Sequence, residues 1–214
     1  IFNIFNGNSY IKQNFNISHY TLLSECMEKG NLSQNYSCEE KNGDKYLDIN
    51  SKIKFFSDII IINYLYNSPW NKNYFKNIEL FIKKNWDQNK IFVIVSDRYR
   101  FPFNLNYSVL DEFVLKNKSL PNNKELKNLE NLYFLYKSKD TDSINTQLKS
   151  LSNNNRVLFL PLSSMQCNIE KKSCKVLSNK KNKIYLDSVS HMSLSSSIIF
   201  DKELSQFFKN ILNL

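Results

Sequence analysis

A glycine and a serine mark the point where an apolar stretch at the start of the chain changes into a helical pattern. We predict that Ile1–Asn6 is a short buried strand and that a helix runs from Asn8 to about Met27. Gly7 permits the tight turn between them, and Ser9 then lies near a helix N-terminus, where free backbone N–H groups can stabilise an anion. The motif suggests a nucleophile at Ser9; the alternative is that Asn8 or Ser9 only caps the helix.

A second candidate segment lies just before the last predicted helix, Ser195–Leu212. It contains His191, one of only 2 histidines, with Asp187 four residues earlier. A histidine can take a proton from a serine when a third group holds its ring, so His191 is the predicted base and Asp187 its partner. The alternative is that His191 only caps the last helix. The other histidine, His19, lies within the first predicted helix and is interpreted as structural or exposed.

The 4 cysteines form two local pairs, Cys26 with Cys38 and Cys167 with Cys174. This clustering favours two local disulfides in an oxidising compartment over free buried thiols. Neither spacing is that of a zinc knuckle, so no metal site is predicted. The N-glycosylation sequons, such as Asn16-Ile17-Ser18 and Asn31-Leu32-Ser33, are compatible with a secretory location but are expected by chance in so Asn-rich a chain.

The formal net charge of +9 is interpreted as a solvated basic surface and not as a nucleic-acid site. The lysines are scattered in short pairs and form no stripe interleaved with aromatic residues. The longest candidate for a membrane span, Ile59–Leu65, is far shorter than the roughly 18 apolar residues that a span needs, and it already contains Asn63. The chain starts with Ile1 instead of Met, which we interpret as the start of a piece of a longer protein.

Apolar runs rich in β-branched residues alternate with helical patterns along the chain. This alternation predicts an α/β fold: a central parallel sheet with helices on both faces, in one domain that spans residues 1–214. Besides the elements already given, the predicted strands are Asp58–Ile62 within Lys54–Tyr66, Ile91–Val95, Leu132–Tyr136 and Val157–Leu160. The further predicted helices are Asn73–Trp86, Tyr107–Lys116, Asn122–Asn131 and Asp142–Leu151, and residues 167–185 form a predicted hairpin closed by the second cysteine pair.

These features together resemble the C-terminal SGNH (GDSL-like hydrolase) domain of integral-membrane acyltransferase 3 family proteins. The serine turn comes first and the Asp/His pair last, the chain order of SGNH hydrolases, and the form Gly7-Asn8-Ser9-Tyr10 resembles the nematode members. The strand Asp58–Ile62 and the Cys167…Cys174 pair followed by Tyr185-Leu186-Asp187…His191-Met192-Ser193 resemble further family motifs. The resemblance implies the three-layer α/β/α SGNH fold, which is flavodoxin-like.

The sequence departs from the family pattern at three points. Asn8 replaces the Asp of the G-D-S motif. The family spacing D-x-x-H would put the acid at position 188, where this chain has Ser188, with Asp187 one residue earlier. The family's oxyanion-hole Gly and Asn have no clear counterparts, so the predicted donors are the Ser9 backbone N–H together with Gly30, Asn63 and Asn67.

The resemblance implies an O-acyltransferase that passes an acyl group through a Ser-His-Asp site to a hydroxyl acceptor. The expected partners are an N-terminal transmembrane acyltransferase domain of the same chain and an acceptor such as a glycan or lipid. This domain would lie on the extracellular or lumenal side of the membrane. It would need no cofactor of its own, because an acyl donor such as acetyl-CoA is used by the membrane domain. Two alternatives remain: an SGNH esterase that uses water, and a catalytically inactive module that binds glycan or lipid.

Overall fold

The computed structural model describes residues 4–5, 8–16, 58–63, 73–101, 108–152, 154–178, 182–185, 193 and 197–213. Its helices are α1 (Ser9–Asn14), α2 (Tyr74–Lys84), α3 (Val109–Asn117), α4 (Asn123–Tyr136), α5 (Asp140–Ser150), α6 (Leu162–Gln166) and α7 (Ser197–Leu212). Its strands are β1 (Ile59–Ile62), β2 (Ile91–Val95), β3 (Val157–Leu160), β4 (Cys167–Asn168) and β5 (Ser173–Cys174).

The chain forms two compact units, which are described separately. The sheet unit comprises residues 18–97 and 144–160, and the helical unit comprises residues 1–17, 98–143 and 161–214.

The sheet unit is built on three parallel strands in the order β1-β2-β3. β2 is central and buried along its whole length, as its uninterrupted sequence of apolar residues predicts. The register pairs Ile60 with Phe92 and Ile94 with Phe159. Parallel strands need crossover connections. Here α2 lies between β1 and β2 in the chain, and α5 lies between β2 and β3.

Alternate residues of the strands pack against the crossover helices on one face of the sheet. On the helices, the apolar residues recur three and four positions apart, so that they share one side of the helix. The core that forms consists of Ile60, Ile62, Phe92, Ile94 and Val157 from the strands, with Ile78, Phe81, Ile82, Ile144 and Leu148 from the helices. The structure therefore confirms the predicted α/β class with a parallel sheet, and this arrangement is consistent with the three-layer SGNH-like fold.

In the helical unit, one prediction was wrong. Leu132–Tyr136 is not a strand but the last part of helix α4. The aromatic and leucine-rich segment has the composition of a strand, yet the helix starts well before it at a capping box. The Asn122 side chain accepts hydrogen bonds from the backbone N–H groups of Lys124 and Glu125, and Glu125 Oε2 accepts from the Asn122 N–H at 2.8 Å. Once started, the helix continues through this segment, because Leu129 and Tyr133 lie one turn apart and are both buried.

The start of the chain differs from the prediction in two respects. Ile4 and Phe5 are buried as expected, but their backbone is helical and not extended. Helix α1 ends at Asn14, far short of Met27, because Phe15 is extended and its ring packs edge-on against Phe208 with the centroids 5.4 Å apart. The remaining residues of the predicted strand and helix, 1–3, 6 and 17–27, lie outside the described residues.

The predicted hairpin is confirmed. β4 and β5 pair antiparallel, with Cys167 opposite Cys174, and a second antiparallel bridge joins Leu177 to Lys183. Cys167 and Cys174 form the predicted disulfide, and both are buried. The other predicted pair, Cys26 and Cys38, lies outside the described residues.

Candidate functional site

Ser9 is the first residue of helix α1, and its side chain is exposed. The residue before it, Asn8, has an extended backbone, and its Oδ1 accepts a hydrogen bond from the Ile11 N–H at 2.8 Å. This is the geometry of an N-cap. Asn8 therefore performs the capping role that the sequence left open between the two residues, and the Ser9 hydroxyl is not needed for it.

The Asn8 side chain also links the N-terminal helix α1 to the C-terminal helix α7. It is fully buried, and its Nδ2 donates to the backbone oxygen of Asp201 and to Asp201 Oδ1, both at 2.9 Å. Ser205 Oγ lies 3.1 Å from the same nitrogen. Asp201 and Ser205 are on α7, the helix that follows the segment of His191. These contacts span 193 and 197 positions of sequence.

Aromatic packing holds helix α1 against α7 around these hydrogen bonds. The rings of Phe5 and Phe15 both meet Phe208 edge-on, with centroid distances of 5.8 Å and 5.4 Å. Lys209 Nζ lies 5.1 Å from the centre of the Tyr10 ring, within the range of a cation–π contact. Because Phe208 is buried, Ser9 starts a helix that is anchored along one side and is not a free terminus.

Residues on both sides of the segment 186–192 are tied together. The Ser193 N–H donates to the Ile184 backbone oxygen at 2.8 Å, and Ser193 Oγ donates to the Lys183 oxygen at 2.6 Å. Lys183 also forms a salt bridge of 2.8 Å with Asp111 on α3. The predicted base and acid, His191 and Asp187, belong to the segment that these contacts bracket, and they lie outside the described residues.

Of the predicted oxyanion-hole residues besides Ser9, only Asn63 is among the described residues. It directly follows β1 and is exposed at the carboxyl end of that strand. Loops at the carboxyl ends of strands form the ligand crevice in open α/β sheets, so its place agrees with the general rule. Gly30 and Asn67 lie outside the described residues, as does the turn residue Gly7.

Two polar residues that were not predicted as site residues follow β2, the central strand. Ser96 and Asp97 are both buried there. The Asp97 N–H donates to Asn145 Oδ1 at 2.7 Å, and Asn145 Nδ2 donates to the Asp97 backbone oxygen at 3.2 Å. Burial, and then the negative charge of Asp97, raise the pKa of the Tyr74 phenol. The signal was present in the sequence, since a Ser-Asp pair comes directly after a wholly apolar strand.

Tyr99, Lys137 and Asp142 form a polar cluster in the helical unit. The Tyr99 hydroxyl donates to Asp142 Oδ1, and Lys137 Nζ lies 2.7 Å from Asp142 Oδ2 and 4.4 Å from the centre of the Tyr99 ring. Burial, followed by the hydrogen bond to Asp142, raises the pKa of the Tyr99 phenol well above its usual range. Tyr99 is thus held neutral as a hydrogen-bond donor, which makes it a structural member of the unit and unsuitable as a base.

Two further features, a metal centre and a membrane-spanning helix, are absent from the described parts of the chain. No cluster of three His, Cys, Asp or Glu side chains occurs there with the geometry to bind a metal ion. No helix there is both long enough and apolar enough to span a membrane.

A solved structure shares this fold. It is the periplasmic domain of a lipopolysaccharide acetyltransferase from Salmonella ser. Paratyphi A, with a TM-score of 0.52 and 9% sequence identity. The similarity covers 75% of this chain and 60% of the other, so the match extends over less than two thirds of that domain. No protein family model matches the sequence, and no curated protein matches it. The likeness therefore concerns the fold.

Proposed function

We propose that this chain is the extracytoplasmic domain of a membrane-bound O-acyltransferase and that Ser9 carries the acyl group to a hydroxyl acceptor. The observation that carries the proposal is the position of Ser9. It is exposed at the start of a helix that Asn8 anchors to α7, the helix that follows the segment of His191. The likeness in fold to a periplasmic domain of an acetyltransferase supports the same class of reaction.

The proposed reaction has two symmetrical steps. His191 takes the proton of the Ser9 hydroxyl while Ser9 Oγ attacks the carbonyl carbon of the acyl donor, and the leaving group then receives that proton from His191. The acceptor hydroxyl next gives its proton to His191 and attacks the acylated Ser9, which releases the new ester and restores the serine. Asp187 would orient the imidazole, and the backbone N–H of Ser9 with the further proposed donors Gly30, Asn63 and Asn67 would face the oxyanion.

The buried disulfide between Cys167 and Cys174 supports the proposed compartment, because disulfides persist in oxidising environments. The proposed partners are an N-terminal membrane domain of the same chain, which would use a donor such as acetyl-CoA, and an acceptor glycan or lipid. In this scheme the domain itself holds no cofactor.

An acyl-transfer assay with the purified domain tests the proposal. We expect p-nitrophenyl acetate to lose its acetyl group to a sugar alcohol faster than to water, and Ser9→Ala to abolish the reaction. The exposed Ser150, whose hydroxyl donates to the Gln147 backbone oxygen in the same helix, provides the matched control Ser150→Ala, which should retain full activity. Acetate release that no added alcohol diverts would identify an esterase instead. No turnover by wild-type protein, with full binding of a glycan or lipid, would contradict both and identify an inactive binding module.

A further inference from the structure

The side chain of Asn8 has both its oxygen and its nitrogen committed to different partners. Its Oδ1 caps α1 by accepting from the Ile11 N–H, and its Nδ2 faces the carboxylate of Asp201 on α7. A buried polar group left without a hydrogen-bond partner lowers the stability of the folded protein, so each of these bonds constrains the side chain. Only a group that accepts on one side and donates on the other satisfies both neighbours.

An asparagine meets this requirement and an aspartate does not. An ionised carboxylate accepts hydrogen bonds but donates none. At position 8 a carboxylate could still cap α1 by accepting from the Ile11 N–H. Its second oxygen, in place of Asn8 Nδ2, would then face Asp201 Oδ1, which lies 2.9 Å from that nitrogen. Two like charges at that separation in a partly buried site repel each other strongly. Asp201 therefore determines that the residue before Ser9 is an amide.

The same bond restrains the backbone of Ser9. Asn8 is the N-cap and Ser9 is the first helical residue, so the direction in which the chain enters α1 depends on the Asn8 side chain. Asp201, which is 193 positions away in the sequence, holds that side chain through both its backbone oxygen and its carboxylate. Small displacements of a reacting group from its productive position cost large factors in rate.

We infer that Asp201 is a positioning residue for Ser9, acting through the amide of Asn8. This role rests on the proposed function, since it assigns Asp201 a part in presenting the proposed nucleophile. It also explains, from a contact within this chain, why asparagine stands at the position where the G-D-S motif has aspartate.

Charge-exchange variants test the inference, with the rate of covalent labelling by a fluorophosphonate probe as the readout. Each variant is labelled well below its melting temperature, with the fold checked by circular dichroism. We expect Asn8→Asp to slow labelling at least about tenfold, because the misplaced cap displaces Ser9. The double variant N8D/D201N restores one amide and one carboxylate to the pair, and its labelling rate should return to within about threefold of wild type.

The exposed Glu203 on the same helix supplies the matched control. N8D/E203Q has the same net charge as N8D/D201N but leaves the two carboxylates facing each other, so it should label as slowly as N8D. Recovery in N8D/E203Q equal to that in N8D/D201N would overturn the inference, as would a wild-type rate in N8D.

A second comparison decides the matter if N8D does not fold. Asp201→Asn keeps a side-chain oxygen that can accept from Asn8 and should label at nearly the wild-type rate. Asp201→Leu removes the side-chain acceptor, leaves only the backbone oxygen and should label at least about tenfold more slowly. Equal rates in folded D201N and D201L would reject the positioning role. Failure of the proposed function is distinguishable, because wild-type protein and Ser9→Ala would then both remain unlabelled.

Discussion

The phenol rings of Tyr133 and Tyr185 are stacked, with their centroids 5.3 Å apart and their planes at 17°. Phe101 meets both rings edge-on, at 4.8 Å and 5.0 Å. All three side chains are buried, so helix α4 holds the segment that ends two residues before Asp187 through a compact aromatic cluster. The predicted acid therefore follows a firmly anchored residue.

The aromatic cluster predicts a loss of stability in alkali. Burial is the main reason that the pKa of Tyr133 is raised to about 12. Because the folded state keeps the proton that the unfolded state loses near pH 10, this contribution is complete below about pH 10 and is lost as the pH rises toward about 12. Between about pH 8 and about pH 11, wild-type protein should lose about 1 kcal/mol more stability than Tyr133→Phe.

Urea denaturation at a series of pH values measures this difference. Tyr136, an exposed tyrosine on the same helix, provides the control Tyr136→Phe, which should follow the wild-type curve. Parallel curves for wild type and Tyr133→Phe would show that the Tyr133 proton is not linked to folding.

The disulfide between Cys167 and Cys174 should stabilise the hairpin that precedes Tyr185. The two cysteines are 7 positions apart, and a closed loop of that length removes unfolded-state entropy worth about 2–3 kcal/mol. We expect the double variant Cys167→Ser/Cys174→Ser to lose about that much in free energy of unfolding. Guanidinium denaturation measures the loss, and an unchanged midpoint would contradict it.

The same disulfide should resist reduction in the folded protein, because both cysteines are buried. Dithiothreitol without denaturant should leave this pair oxidised, and the same reagent in denaturant should reduce it. Peptide mass spectrometry after alkylation measures the outcome, and rapid reduction of this pair under native conditions would contradict the burial of the sulfur atoms.

The core of the sheet unit should depend strongly on Leu148, which is fully buried among the strand and helix residues of that unit. Leu148→Ala leaves a cavity and should lower the free energy of unfolding by about 2–5 kcal/mol. Leu135, which is 73% exposed on α4, is the matched control, and Leu135→Ala should change stability by less than about 0.5 kcal/mol. Equal effects of the two substitutions in thermal or urea denaturation would contradict the packing of the sheet unit.

The strands were predictable from sequence because their signal is local. The runs Ile59–Ile62 and Ile91–Val95 consist wholly of large apolar residues, mostly β-branched, a composition that favours a strand buried on both faces. The segment Leu132–Tyr136 has a similar composition but became helical, because a capping box ten residues before its first residue had already started α4. Composition over five residues is thus outweighed by the cap that precedes them.

The candidate site was predictable only in part. Gly7-Asn8-Ser9 indicated a helix cap from three adjacent residues, and Asn8 performs that role. No local pattern indicated that Asn8 binds Asp201, which is 193 positions away. The aspartate lies on the amphipathic helix α7 among other charged residues, and only the tertiary contact distinguishes it. Long-range polar pairs of this kind have no period or spacing that the sequence displays.

In the proposed reaction, Ser9 is a nucleophile that His191 activates. The most direct measurement is the rate and position of fluorophosphonate labelling, with the modified peptide identified by tandem mass spectrometry. Wild-type protein should carry the label on Ser9, and His191→Asn should slow labelling by about a hundredfold or more, the usual contribution of a general base. A label on another residue, or equal labelling of wild type and His191→Asn, would contradict the claim.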